Sequence, residues 1–314
     1  MFLKRTNPNP LGVPIGDLLL MLQPTSIKAK LKGDTLVAHH EHYTTRVEVI
    51  PPEIRETETG PIKAVVRITT ELPKRILELF KKPETIVAMN GFAALGALCS
   101  DGAGISIGSR LTIYEAEDAW RTLHLPLLMF ATIMGAEAIL GAMRRTFNKE
   151  TYANEPSVWT EDDFEQVKGR LSPFSLCTTG ERGLTAEFGL SERAVTAAAG
   201  HKTALWRLKT DQPHPELGGG LLCVLEMPHL AEKNRLHQIC AQLNNMEMAA
   251  SDLPPHFGAW TEGKLGSNPA YVTFFPNAFR ELHAVSPIAV NAAFWAANRA
   301  QWANNVLASL GMRA

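Results

Sequence analysis

One short phrase is written twice in this chain. Ala119-Trp120-Arg121-Thr122-Leu123-His124 returns 159 positions later as Ala278-Phe279-Arg280-Glu281-Leu282-His283, with four of six residues identical. Upstream, Val66 to Pro73 and Leu221 to Pro228 share a pattern that closes in Glu-apolar-Pro, 155 positions apart. Leu22-Gln23-Pro24 and Leu171-Ser172-Pro173 lie 149 apart. Similar offsets kept in one order along a chain are the mark of a duplicated unit. A length of 314 residues also exceeds one ordinary core and suits two. The expected division is a first repeat over 1–147, a linker over 148–159 and a second repeat over 160–314.

Charge narrows the partners. With 31 basic against 32 acidic residues the formal net charge is −1, so no global field gathers nucleic acid or an anionic membrane. No basic run is longer than Lys81-Lys82. Cys99, Cys177, Cys223 and Cys240 are scattered without metal-ligand spacing, and Met1 to Asn9 is polar and unlike a secretory signal. The expected compartment is a reducing cytoplasm. Leu125 to Met143 is almost wholly apolar, but Glu137 sits near its middle and the matching segment from Pro287 is rich in asparagine. It reads as a helix buried in protein rather than a membrane span.

Each half gives the same coarse order of elements. An opening helix is expected over 15–22 and over 162–171, the latter behind a Thr160 cap with Asp162 and Asp163 in its first turn. Short alternating segments follow at 26–30, 35–42, 45–50 and 62–70, and again at 175–179, 185–188, 204–209 and 221–226. Next comes a helix opening at the repeated proline, over 73–89 and 228–246, each running into asparagine, Asn90 or Asn244-Asn245, where a left-handed stop is expected. Two more strands, at 97–99 with 106–114 and at 257–261 with 270–275, precede a long terminal helix. In the second copy Ala289, Ala293, Ala296, Ala300, Ala303, Leu307 and Leu310 form a seam of small side chains that lets another helix, expected to be the first terminal helix, come close. Trp295 and Trp302 flank Arg299 on a neighbouring stripe.

This order of helix, antiparallel three-strand segment, helix, two strands and long helix, with an asparagine closing the middle helix, resembles the type III secretion chaperone-like fold, here in tandem. Bacterial sensory-transduction-regulator proteins share that fold. The resemblance covers about residues 12 to 147 and 160 to 311. It implies an α+β protein that binds a protein partner and catalyses nothing; the expected molecule is bacterial-type and cytoplasmic and takes no cofactor. Because such chaperones act as homodimers, a duplicated chain implies an intrachain pseudo-dimer, itself monomeric or homodimeric.

Candidate chemistry is sparse. The repeated Arg-x-Leu-His offers Arg121, His124, Arg280 and His283 as anion or carboxylate contacts, or as side chains that fix the turn before a helix. With Trp295, Arg299 and Trp302 these are the expected binding residues. His39, His40 and His42 form the single histidine cluster; on a strand His40 and His42 share a face and offer two metal ligands, which underlies the rival reading of a hydrolase or metal-dependent enzyme. A third reading is a structural subunit of a larger assembly. Asp101 to Gly108 is glycine-rich like a phosphate loop, but a strand pattern follows it where a phosphate site needs a helix, so a hairpin is expected.

Overall fold

The computed structural model describes residues 28–40, 43–54, 56–57, 60–72, 80, 82–92, 95–100, 104–115, 132, 156–191, 202–277, 279–280 and 287–312. The first half opens with β1 (Lys28–Lys32), β2 (Thr35–His40), β3 (Tyr43–Ile50), the two-residue β4 (Glu56–Thr57) and the long β5 (Gly60–Glu71). Helix α1 (Pro83–Asn90) is followed by β6 (Ala97–Ser100) and β7 (Ile105–Tyr114). The second half begins with α2 (Glu161–Leu171), then β8 (Leu176–Gly180), β9 (Gly183–Gly189), β10 (Thr203–Lys209) and β11 (Gly220–Glu226). Helix α3 (Lys233–Ala249), β12 (Ala259–Glu262), β13 (Pro269–Pro276) and the long α4 (Ile288–Ser309) complete it.

The fold is α+β, with two antiparallel sheets. Their orders are β1-β2-β3-β5-β7-β6 and β12-β13-β11-β10-β9-β8. Read from the outer edge inward, both are a four-strand meander whose last strand pairs with the second of two later strands. The meander therefore holds four strands in each half, one more than the three-strand segment of the resembled fold. Turn chemistry closes two of its hairpins. Gly33-Asp34 links Lys32 to Thr35, with Gly33 at φ +57°, and Glu181-Arg182 links Gly180 to Gly183. The glycine-rich 101–104 joins Ser100 to its antiparallel partner Ile105, as a hairpin does.

Helix α1 ends at Asn90 as expected, but neither asparagine serves through a left-handed backbone. Gly91 after α1 has φ −64°, and Asn244 lies inside α3, so neither position uses the left-handed region. Instead each buried carboxamide clasps one residue of the following strand. Asn90 accepts from Leu98 N–H at 2.7 Å and donates to Leu98 O at 3.4 Å; Asn244 accepts from Trp260 N–H at 2.7 Å and donates to Trp260 O at 3.0 Å. A second device also occurs in both sheets: Arg46 meets Glu71 at 2.8 Å across β3 and β5, and Arg207 meets Glu226 across β10 and β11 with the same two-residue diagonal.

The helix over 228–246 starts later and ends later than its sequence suggests. Met227 and Ala231 donate backbone bonds to Pro269 and Ser267, so the stretch around Pro228 is held extended against the next hairpin. The helix begins at Lys233 and runs to Ala249, which brings Glu247 into its last turn. For the first copy, 73–79 lies outside the described residues, and α1 opens at Pro83 with proline in its first turn.

Helix α4 lays its alanine seam on its own sheet and against α2. Ala289, Ala293, Ala296, Ala300, Ala303 and Leu307 are buried, and Trp206, Cys223, Leu225 and Phe275 stand opposite. The segment expected as the first terminal helix lies outside the described residues except for Thr132, whose hydroxyl donates to Ser109 at 2.9 Å in the buried interior. The expected helix-to-helix contact along the seam falls there too. Among the described residues no helix is long and apolar enough to cross a membrane. The linker residues 148–155 likewise fall outside, while Asn277 ties Pro156 and Val158 to the second half.

Candidate functional site

The two halves meet where the end of α3 and the loop after it lie on one face of the first sheet. Strand pairing sets this face in registered rows. Lys28, His39, Thr44, Glu71 and Ser106 stand side by side, then Lys30, Val37, Arg46, Thr69 and Gly108, then Lys32, Thr35, Glu48, Arg67 and Arg110. Directly paired residues of antiparallel strands share a face, so all these side chains point the same way. The opposite face carries Leu36, Val47, Val49, Val66, Ile68 and Leu111, which belong to a core running through both halves.

Where α3 covers the far end of the polar face, the contacts are tight and buried. Arg110 donates from Nε to Glu247 O at 2.8 Å, from Nη1 to the Thr112 hydroxyl at 2.7 Å, and from Nη2 to Leu253 O and Pro254 O at 3.0 and 2.7 Å. Arg110 and His256 also exchange backbone bonds, a one-residue bridge between the halves. Burial draws the Arg110 pKa down to about 10, although Glu247 opposes it.

Behind Arg110 lies a buried charged cluster. The Glu247 side chain takes Arg299 Nε at 2.7 Å on one oxygen and Trp260 Nε1 at 2.7 Å on the other, with His256 Nδ1 at 3.3 Å. The Arg299 guanidinium lies 3.8 Å from the Tyr271 ring centre and donates to Pro255 O at 2.8 Å. Tyr271 Oη stands 3.2 Å from His256 Nδ1 and accepts from Gly258 N–H at 2.7 Å. Burial alone would raise the Glu247 carboxyl, but Arg299 and His256 outweigh it and hold it down at about 2. Burial lowers His256 below its ordinary value against the pull of Glu247, and Arg299 and Arg110 push the same way. A proton added to His256 Nε2 would find no acceptor, because that nitrogen is buried and unpartnered among the described residues. With every Glu247 oxygen engaged, the cluster is a brace between elements.

An acid-stability prediction follows from these two groups. His256 titrates at 6.5 when unfolded and lower when folded, so its contribution is complete above pH 6.5 and is lost as pH falls through the folded value. Glu247 adds a second loss between 4.5 and about 2, in the same direction. Melting temperature measured from pH 8 to pH 3 is expected to begin falling below 6.5 and to fall faster below 4.5. A level profile down to pH 4 contradicts the burial of this pair.

Beside the brace, the near part of the polar face stays open. A cleft of about 500 Å³ runs between Arg46, Glu48, Arg67 and Glu71 on one side and Asn245, Met248 and Ala249 on the other, with Cys99 and Ser106 at its end. Its volume is that of a ligand site. Arg67 spans it, donating from Nε to Met248 O at 3.1 Å and from Nη2 to Ala249 O at 3.4 Å. Among the described residues that line it there is no histidine, and none of the described residues form a group of three His, Cys, Asp or Glu fit to hold a metal. The arrangement suits ion pairing with a bound segment.

The expected binding residues are not assembled into one surface. Arg299 is 3% exposed and committed to Glu247, so its reading as a partner contact gives way to a bracing role. Trp295 and Trp302 are half-buried, packing on Phe257 and Trp260 at ring separations of 5.1 and 6.5 Å. Arg280 pairs with Asp163 at 2.9 Å and lies over Trp159, pinning the start of α2, where Asp163 also accepts from Thr160 N–H. Arg121, His124 and His283 lie outside the described residues. His39 is exposed beside the Thr44 hydroxyl at 3.1 Å, His40 ends β2, and His42 lies outside the described residues.

Sequence reasoning missed the basic face and the brace. The alternation Lys28-Ala29-Lys30-Leu31-Lys32 was available as a signal for the first. For Glu247, Arg110 and His256 the signal was weak, a lone charge in each of an apolar helix turn, a strand and a proline-rich loop. Comparison with protein-family models, curated proteins and solved structures gave no match to this chain.

Proposed function

We propose that this protein holds a protein partner and catalyses nothing, an adaptor- or chaperone-like molecule built as an intrachain pseudo-dimer and working in a reducing cytoplasm. The carrying observation is the open cleft between the first sheet and α3, walled by arginines and carboxylates in cross-strand pairs. The cleft offers charge and backbone carbonyl dipoles to a bound protein segment. The four cysteines form no disulfide, which suits the compartment, and two of them are buried.

The test uses the full chain immobilised and exposed to lysate of its source cells, beside Arg46→Glu, which turns the exposed Arg46–Glu71 pair repulsive and leaves the core untouched. Recovered proteins are identified by crosslinking and mass spectrometry. The expected result is a defined partner, crosslinked to residues of the sheet face and reduced at least tenfold by the substitution. Recovery at background, or recovery indifferent to Arg46→Glu, overturns the reading.

A further inference from the structure

The outer edge of the first sheet carries an unusual row. On β1, Lys28, Lys30 and Lys32 point to the polar face while Ala29 and Leu31 point to the apolar one. The three lysines are exposed, and none has an ion-pair partner among the described residues. Residues two apart on a strand stand roughly 6.5–7 Å from each other. The row is a short ladder of like charge whose backbone, among the described residues, pairs on the β2 side alone. The face behind it carries Arg46 and Arg67 against Glu48 and Glu71, which balance, so the excess positive charge lies on the β1 lysines although the whole chain is at −1.

Resting on the partner-holding reading above, we propose that β1 receives an extended acidic segment of the partner as an added strand, with Asp or Glu at alternate positions and apolar residues between them. An added strand lies about 4.8 Å away and repeats with the same two-residue period, so each carboxylate falls opposite a lysine. Opposite charges directly across a strand pair favour that register, and like charges oppose it. The intervening apolar side chains would fall beside Ala29 and Leu31, extending the face on which Leu36 and Ala38 are buried; Leu31 is 40% exposed and open to such cover. Lysines on an edge turn away basic and purely apolar strands. They leave an acidic alternating strand as the fitting occupant. A nucleic-acid strand fits less well, because Glu48 and Glu71 stand on the same face and its registered rows carry no Phe, Tyr or Trp ring on which successive bases could stack, only the single imidazole of His39. Among the described residues the β8 edge of the other sheet also pairs on one side alone, but it differs: Leu176 is exposed and Leu-Cys-Thr-Thr-Gly holds no basic residue.

The experiment is fluorescence anisotropy on the full chain with three labelled probes: a peptide alternating glutamate and valine, a peptide of the same composition with its glutamates in one block, and oligothymidylate. The alternating peptide is expected to bind at least tenfold more tightly than the block peptide and to weaken as salt rises. Lys28→Glu/Lys30→Glu/Lys32→Glu should lose at least tenfold and recover it with a peptide alternating lysine and valine. Leu176→Asp on β8 should change nothing. Circular dichroism checks the triple variant, and Lys30→Gln with a severalfold loss serves if the triple is misfolded. Equal binding of the two acidic peptides, no binding, or indifference to the lysine changes overturns the proposal. Tighter binding of oligothymidylate overturns it in favour of nucleic acid. If these arms fail while lysate recovery still depends on Arg46, the partner-holding reading stands and the added strand alone is lost.

Discussion

Replacing Glu247 by alanine is expected to cost about 3–5 kcal/mol of stability in urea unfolding, because Arg299 is then left as a buried charge without its carboxylate. Trp260 Nε1 loses its acceptor in the same step, and His256 loses its carboxylate neighbour. The companion variant Glu247→Leu/Arg299→Met removes both charges and is expected to regain most of the loss, since apolar replacement of a whole buried pair is often close to neutral. A single variant within about 1 kcal/mol of the parent would mean that water reaches this cluster and solvates Arg299.

Arg110→Met is expected to act on the joint rather than on either half. The methionine fills much of the same volume but abandons Glu247 O, Leu253 O and Pro254 O, three carbonyls of the second half held by one side chain of the first. At about 1 kcal/mol or more for each buried acceptor left unmet, the loss is about 3 kcal/mol or above. Hydrogen exchange locates it: protection should fall first at Gly96 and His256, whose amides bond across the joint to Phe257 O and Arg110 O, while the interior of the β9–β10 pairing stays protected. Uniform loss of protection over both sheets would instead make Arg110 part of one indivisible core.

Strands and hairpins were largely legible in the sequence because alternation and turn residues are local. The segments read at 35–42, 62–70, 204–209 and 221–226 became β2, β5, β10 and β11 with small shifts at their ends, and Asp162 to Leu171 became α2 with one more residue. What could not be read depends on which strand lies beside which. Lys30 and Arg46 are far apart in the chain and two strands apart in the sheet, a proximity set by register alone. Arg299 illustrates the reverse error: helical spacing placed it correctly between two tryptophans, but the carboxylate that claims it comes from another helix, beyond the boundary drawn for that helix. Asn90 and Asn244 were noticed for a backbone preference and serve through their side chains, which hold a strand that local pattern could not assign to them.

That carboxamide clasp works as a proofreading device. A strand sliding by one residue turns its other face inward, and here the slip would also strand a polar amide in a dry pocket with its two counterparts moved out of reach. Incorrect alignment of β6 or β12 is thus penalised twice, once by the exchange of faces and once by an orphaned asparagine. The helix that arrives first in the chain carries the template against which the later strand is checked.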